Sequence, residues 1–214
     1  MSRIQAFTVL VSTSFLLAAC SHPALKNLDE APDAPQLSAQ TAQASGNSLR
    51  DYPTALKSWK SPQDLAQWMG ANFRYDTKRL LQTTPNIHLA KQTRPRFRPI
   101  QPADFFARPN GICTDLTHFG VQALQVIQPE LKPFYLKLVY DPVLVRGHLV
   151  SNHWVAGFLR DNSYYFFSDS RYPNKIHGPY STVEQFAEAY AHSTQRKLHK
   201  IRRFDSDPFL PRGI

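Results

Sequence analysis

Apolar positions recur at helical spacing in three stretches of the chain and at strand spacing in three others. Leu65, Trp68, Met69 and Phe73 fall on one face of a helix that opens with Ser61 as N-cap, Pro62 in the first turn and Asp64 at the capping-box spacing. A longer helix over Thr114 to Gln128 carries Leu116, Phe119, Gly120, Ala123, Leu124 and Ile127 on its buried stripe, and Pro129 ends it. Ser181-Thr182-Val183-Glu184 opens a third, which turns Phe186, Ala187 and Tyr190 inward. Between the first two, Pro102 to Ala107 predicts a short helical turn and Pro109-Asn110-Gly111 a break. The strand-like runs are Phe134 to Tyr140, Val150 to Leu159 and Tyr164 to Asp169, the last two joined by a three-residue turn, Asp161-Asn162-Ser163. Helices first and an antiparallel meander after them predict an α+β domain.

The segments without such patterning divide the chain. Residues 1–19 combine Arg3 with a mostly apolar, uncharged stretch from Ala6 to Ala19, too short for a committed membrane span, and read as an export signal. Leu17-Ala18-Ala19-Cys20 resembles the lipobox of bacterial lipoproteins. That resemblance implies cleavage before Cys20, lipidation of Cys20 and, with Ser21 next, transfer to the outer membrane. Residues 21–50 are rich in Ala, Ser, Gln and Pro and have no aromatic residue, which predicts a flexible tether. A coil of that length reaches roughly 30 Å. From Asp76 to Pro102, Pro, Thr and Arg residues predict a long irregular loop, with Lys91, Arg94, Arg96 and Arg98 around Phe97. Residues 51–214 are then one domain, long enough for a hydrophobic core.

Charge and cysteine content narrow the classes. The formal charge is +9, or +8 once Arg3 leaves with residues 1–19. In the cytoplasm such a surplus suits nucleic acid; for an exported chain nucleic acid is not expected, and the available polyanions are lipid head groups and envelope polymers. The chain has two cysteines. With Cys20 acylated, Cys113 has no disulfide partner, so it is either an inert core thiol or one kept for its chemistry.

Cys113 stands at the start of the predicted helix, where the dipole and unpaired N–H groups favour thiolate, and Gly111 permits a sharp turn just before it. His153 lies on one predicted strand and Asp169 on the next. With a three-residue turn, Asp169 faces Val155 and lies diagonally across from His153 on the same face, where a carboxylate can orient the imidazole. An even-numbered turn without a bulge would send the two side chains to opposite faces. Asp115 reads as a cap for the helix start, and His118 as structural. Cys113 and His118 lack further ligands at zinc spacing, so no metal and no cofactor are expected.

"GICTDLTHFGVQAL", "NHWVAGF" and "YYFFSDS" resemble, in this order, the three motifs of the transglutaminase-like superfamily of bacterial cysteine proteases and transglutaminases. The segment "PADFFARPNGIC" resembles the lead-in to the family's cysteine, and the similarity runs from about Ser61 to Tyr190. The resemblance implies a papain-like core, with the nucleophile at a helix N-terminus packed on an antiparallel sheet. It also implies Cys113 as nucleophile, His153 as base and Asp169 as orienting acid. Asn72 and Tyr75 are candidate side chains for the oxyanion site. The implied activity is thiol-dependent acyl transfer on a peptide or cell-wall amide, by a monomer held to the membrane through its lipid. Water as acceptor makes it a peptidase or amidase, and an amine makes it a transglutaminase. The alternative is a non-catalytic module of the same fold that grips an anionic envelope polymer through the basic loop.

Overall fold

Residues 25–35, 51–87 and 97–210 are described by the computed structural model. The export signal, Cys20 and most of the expected tether therefore lie outside the described residues. Among the described residues, five helices, α1 (Tyr52–Ser58), α2 (Pro62–Asn72), α3 (Thr77–Thr83), α4 (Pro102–Ala107) and α5 (Cys113–Ile127), precede all but the first strand of the main sheet. A sixth, α6 (Val183–Thr194), follows most of its strands. The main sheet is built from β1 (Asn27–Leu28), β4 (Phe134–Val145), β5 (His148–Arg160), β6 (Ser163–Phe167), β7 (His177–Tyr180) and β8 (Leu198–Phe204), and a parallel pair, β2 (Arg74–Tyr75) with β3 (Asn110–Gly111), stands apart. The α+β class follows directly.

Local chemistry sets the helix starts. The Ser61 hydroxyl accepts the Asp64 N–H at 3.2 Å, and Asp64 reaches back to the Lys60 N–H at 2.8 Å. Thr182, within the expected opening Ser181-Thr182-Val183-Glu184, caps α6 by accepting the Gln185 N–H. The expected irregular loop after Asp76 is partly helical. Asp76 accepts the Arg79 N–H at 2.9 Å and caps α3, a signal masked in the sequence by the two polar residues Thr77 and Lys78 that follow.

The core has two main layers, one on each face of the sheet. On one face α1, α2, α4 and α5 bury Trp59, Leu65, Met69, Phe105, Phe119 and Leu124 against Ala156 and Phe158 of β5. On the other, α6 buries Phe186 and Tyr190 against Leu138, Val155 and Phe166. Each fully buried large side chain contributes roughly 1.5–3 kcal/mol by leaving water.

β4 is the organising strand. It pairs antiparallel with β5 along one edge, while the other edge is shared: β8 covers Tyr135 to Tyr140 and β1 runs parallel to Leu144 and Val145. The register of β4 against β5 shifts between Val139 and Val143.

Residues 25–35, within the stretch expected as a tether, pack against the domain. Besides the β1 pairing, Arg146 Nε donates to the Asp29 carbonyl at 2.9 Å, and Ala31 is buried beside Ile112, Val143 and Val145. Composition pointed to disorder because residues 21–50 are rich in Ala, Ser, Gln and Pro and have no aromatic residue. Backbone pairing to an open strand edge and a buried carboxylate hold it instead.

Candidate active site

The sulfur is placed by the first turn of α5. Ile112, just before it, is extended, and Gly111 sits where a Cβ would come within 2.8 Å of Asp115 Cβ. Glycine there lets the Asp115 carboxylate fold back onto the Ile112 N–H at 3.0 Å, as the capping expectation requires. The same carboxylate accepts Arg79 Nε at 2.7 Å, Arg79 Nη2 at 2.8 Å and the Ile100 N–H at 2.9 Å. Arg79, hidden to sequence reading inside the supposed loop, thus clamps the turn that carries Cys113.

His153 lies on β5 beyond the end of its neighbour. Pairing of β6 with β5 stops at Phe167 opposite Ala156, so the β5 backbone at Trp154 is open on that side. Its N–H donates to the Cys113 sulfur. His153 itself is buried, with Nδ1 3.2 Å from Asp33 Oδ2 and Nε2 3.6 Å from Asp169 Oδ1.

Asp169 reaches this position by a route that differs from the expected one. The β5–β6 turn has two residues, Asp161 and Asn162, both left-handed (φ 50° and 58°), and Arg160 pairs with Ser163. Asp169 is therefore one residue out of step with the expected Val155 partner, and simple continuation of β6 would send it to the face away from His153. The strand instead ends at Phe167, and Ser168 takes a left-handed conformation (φ 61°) that turns the carboxylate back to His153. Gly120 of α5 makes room for this kink: a Cβ there would lie 2.2 Å from Ser168 Oγ. Asp169 Oδ1 also receives the Tyr190 hydroxyl at 3.3 Å and the Arg171 N–H at 3.0 Å.

A fourth residue, absent from the sequence reading, completes the group. The Asp33 carboxylate accepts a hydrogen bond from the Cys113 thiol, and its Oδ1 accepts the Tyr75 hydroxyl at 3.1 Å. Ser170 Oγ donates to the Asp33 backbone carbonyl at 2.8 Å. The one cue in the sequence is local acidity: Asp29, Glu30 and Asp33 fall together near the start of a basic chain. Of the two oxyanion candidates, Tyr75 enters the site. The Asn72 amide turns back to the Trp68 carbonyl of its own helix at 2.8 Å.

The electrostatics reverse the expectation of a helix-activated thiolate. Burial, then the charge of Asp33 and the hydrogen bond to it, push the Cys113 thiol well above its ordinary value, while the Trp154 N–H and the Thr114 side chain pull less strongly the other way. Burial pushes the Asp33 carboxyl up, but the hydrogen bond and charge of His153 and the bond from Cys113 outweigh it and hold the group below the usual carboxylate range. Burial, followed by the charges of Asp33 and Cys113, keeps the Tyr75 phenol protonated, so it can only donate to Asp33.

Cys113, though buried, lines a cleft of about 510 Å³ together with Ile112, Thr114, Trp154, Lys137 and Arg202. Its sulfur, a His153 ring nitrogen and an Asp33 oxygen lie within 4.8 Å of one another, a spacing that one zinc ion could also bridge. Chemically, the arrangement offers a nucleophile at the cleft wall and, buried behind it, a proton-transfer base, an acid beside the base and a hydroxyl donor. His118 lies apart, buried beside the Tyr135 hydroxyl at 3.3 Å and Asp207 at 3.7 Å.

A family model described as a transglutaminase-like domain matches residues 53–194. That span contains Cys113, His153 and Asp169 and ends at the last residue of α6. No curated protein matches the chain.

Proposed function

The chain belongs to the transglutaminase-like domain family, and on that footing we propose that it is a thiol-dependent peptidase or amidase of the bacterial cell envelope, working through a thioester acyl-enzyme. The observation that carries this reading is the meeting of Cys113, His153 and Asp169 from α5, β5 and the turn after β6, with Cys113 on the wall of the cleft and the other two buried behind it.

In the reaction, His153 Nδ1 takes the proton of Cys113 and the sulfur attacks the amide carbonyl. The carbonyl π electrons move onto oxygen, which the Cys113 backbone N–H and the Tyr75 hydroxyl receive. Collapse of the tetrahedral adduct breaks the C–N bond, and His153 returns its proton to the leaving amine. Asp169 holds the imidazole from the Nε2 side and stabilises its protonated form. Water, deprotonated by His153, then opens the thioester to give a carboxylic acid and the free thiol; a primary amine in place of water would give a new amide. Lys137 and Arg202, neighbours across β4 and β8, give the cleft a cationic end. The lipobox-like sequence at Cys20 supports tethering to the outer membrane, facing the periplasm and its peptide and cell-wall amides.

The test uses the full chain and its Asp33→Ala form, each with and without Cys113→Ala, on fluorogenic peptide amides and on a labelled primary amine. Amide cleavage that disappears with Cys113→Ala supports the reading. Cleavage that survives it, or none in either parent form, overturns it, the latter in favour of the non-catalytic module.

A further inference from the structure

The groups that the reaction needs free are engaged by the protein's own N-terminal region. β1 lays Asn27 and Leu28 parallel to Leu144 and Val145, and the next residues run to Ala31, buried at 5% exposure under Ile112 and Val143. The Ala34 N–H closes a turn onto the Ala31 carbonyl at 3.0 Å, and this turn delivers Asp33 to the sulfur. One Asp33 oxygen takes the Tyr75 hydroxyl at 3.1 Å; the other lies 3.2 Å from His153 Nδ1 and 3.4 Å from Ser170 Oγ.

These partners are the ones assigned above to catalysis: the proton-accepting nitrogen, the nucleophile and the side-chain donor for the oxyanion. A carboxylate resembles both the acid product of amide hydrolysis and the negatively charged oxygen of the tetrahedral adduct. Its seat is fully built, with the residue at 4% exposure and both oxygens partnered. The rest of the segment is held by no large buried side chain. It contributes a two-residue strand pairing, the Asp29 carbonyl bond to Arg146, half-buried Leu28 and Ala34 and the small buried Ala31 and Pro35, while Asp29 and Glu30 are exposed. A strongly engaged head on a lightly attached strand is suited to exchange.

We infer that residues Asn27–Asp33 are a resident, displaceable ligand of the active site: a strand of the chain's own, whose Asp33 carboxylate stands where the substrate carbonyl goes and keeps Cys113 latent. The inference rests on the catalytic reading above and adds regulation and substrate form to it. What displaces the strand is an extended peptide that pairs with the same edge of β4 at Val143–Val145 and places a carbonyl or carboxylate against Tyr75 and His153. Displacement involves no covalent step. The thiol exchanges its bond to Asp33 for one to His153 Nδ1, and the proton transfer that starts the reaction becomes possible.

The test reads the thiol itself, by the rate of iodoacetamide alkylation at Cys113 followed by peptide mapping in the full chain. Asp33→Ala and the near-isosteric Asp33→Asn should each raise that rate about tenfold or more, whereas Asp29→Ala, on the exposed side of the strand, should leave it unchanged. A synthetic peptide of residues 25–35 should slow alkylation of the Asp33→Ala protein again, and the same peptide carrying Ala in place of Asp33 should not. Rates at or below that of the unaltered protein in both Asp33 variants, with melting curves showing them folded, overturn the inference, as does a peptide without effect. Alkylation requires no amide substrate, so this outcome is separate from whether Cys113→Ala abolishes cleavage.

Discussion

The Tyr190 ring lies parallel to the His153 imidazole, 4.8 Å between centroids and 9° between planes, while its hydroxyl bonds to Asp169. One side chain of α6 therefore fixes both the plane of the base and the carboxylate behind it. Tyr190→Leu removes both contacts and Tyr190→Phe only the second. We expect Tyr190→Leu to lower kcat by about tenfold to a hundredfold with little change in KM, and Tyr190→Phe by less, because loosened positioning of a base costs part of its contribution. Steady-state kinetics in the Asp33→Ala background measure this. A pure rise in KM would place Tyr190 in substrate binding instead.

Tyr75 is the side chain best placed to replace Asp33 by an oxyanion as its acceptor. Tyr75→Phe, again in the Asp33→Ala background, should reduce kcat by about a hundredfold, the loss typical of a single oxyanion donor. Alkylation of Cys113, which generates no oxyanion, should change much less. Equal losses in the two assays would show that the hydroxyl serves only to position the sulfur.

Arg79 and Asp115 form a bidentate charged contact in the site's framework. Asp115 is fully buried and takes both guanidinium donors, while Arg79 remains about one quarter exposed. Arg79→Ala leaves a buried carboxylate short of its counter-charge and should destabilise the fold by about 3 kcal/mol. A urea unfolding midpoint measures this, and a change within error would mean that the Ile112 and Ile100 N–H groups suffice.

Much of this arrangement was legible in the sequence, and the exceptions have physical causes. Local signals placed α2, α4, α5 and α6 within a residue or two because caps, prolines and apolar stripes act over a few residues. The three-motif order likewise brought Cys113, His153 and Asp169 to attention, and the fold gathers them. The path of Asp169 was not legible: Ser168 carries no mark of its left-handed backbone, and the error of one residue in turn length was cancelled by a kink of opposite effect. Asp33 was hidden for a different reason. It lies 120 residues from His153, in a stretch whose composition predicts disorder, and a buried polar cluster leaves no periodic trace.

Acid should reveal Asp33. Its carboxyl in the folded protein lies below the usual value of 3.8, so the native state prefers the ionised form. The stability it contributes is present above that value and is lost as pH falls through the depressed one. The groups facing it are the His153 ring, the Cys113 thiol and the Tyr75 phenol, with Asp169 and Tyr190 behind His153 and the Arg196 guanidinium and Tyr140 phenol acting on it through their charge interactions. Urea midpoints compared between pH 6 and pH 3 should fall more steeply for the unaltered protein than for Asp33→Asn. Parallel slopes would mean that the carboxylate is not held in its charged form.

β8 leaves the outer edge of β4 at Tyr140, and among the described residues only Asn27 and Leu28 pair with that edge at Leu144 and Val145. Lifting them away would expose bare amides and carbonyls on a β-rich rim, a template on which other molecules' strands can polymerise. The same few residues thus guard solubility, and an awakened molecule that finds no client to fill the vacancy would be prone to stick to its own kind.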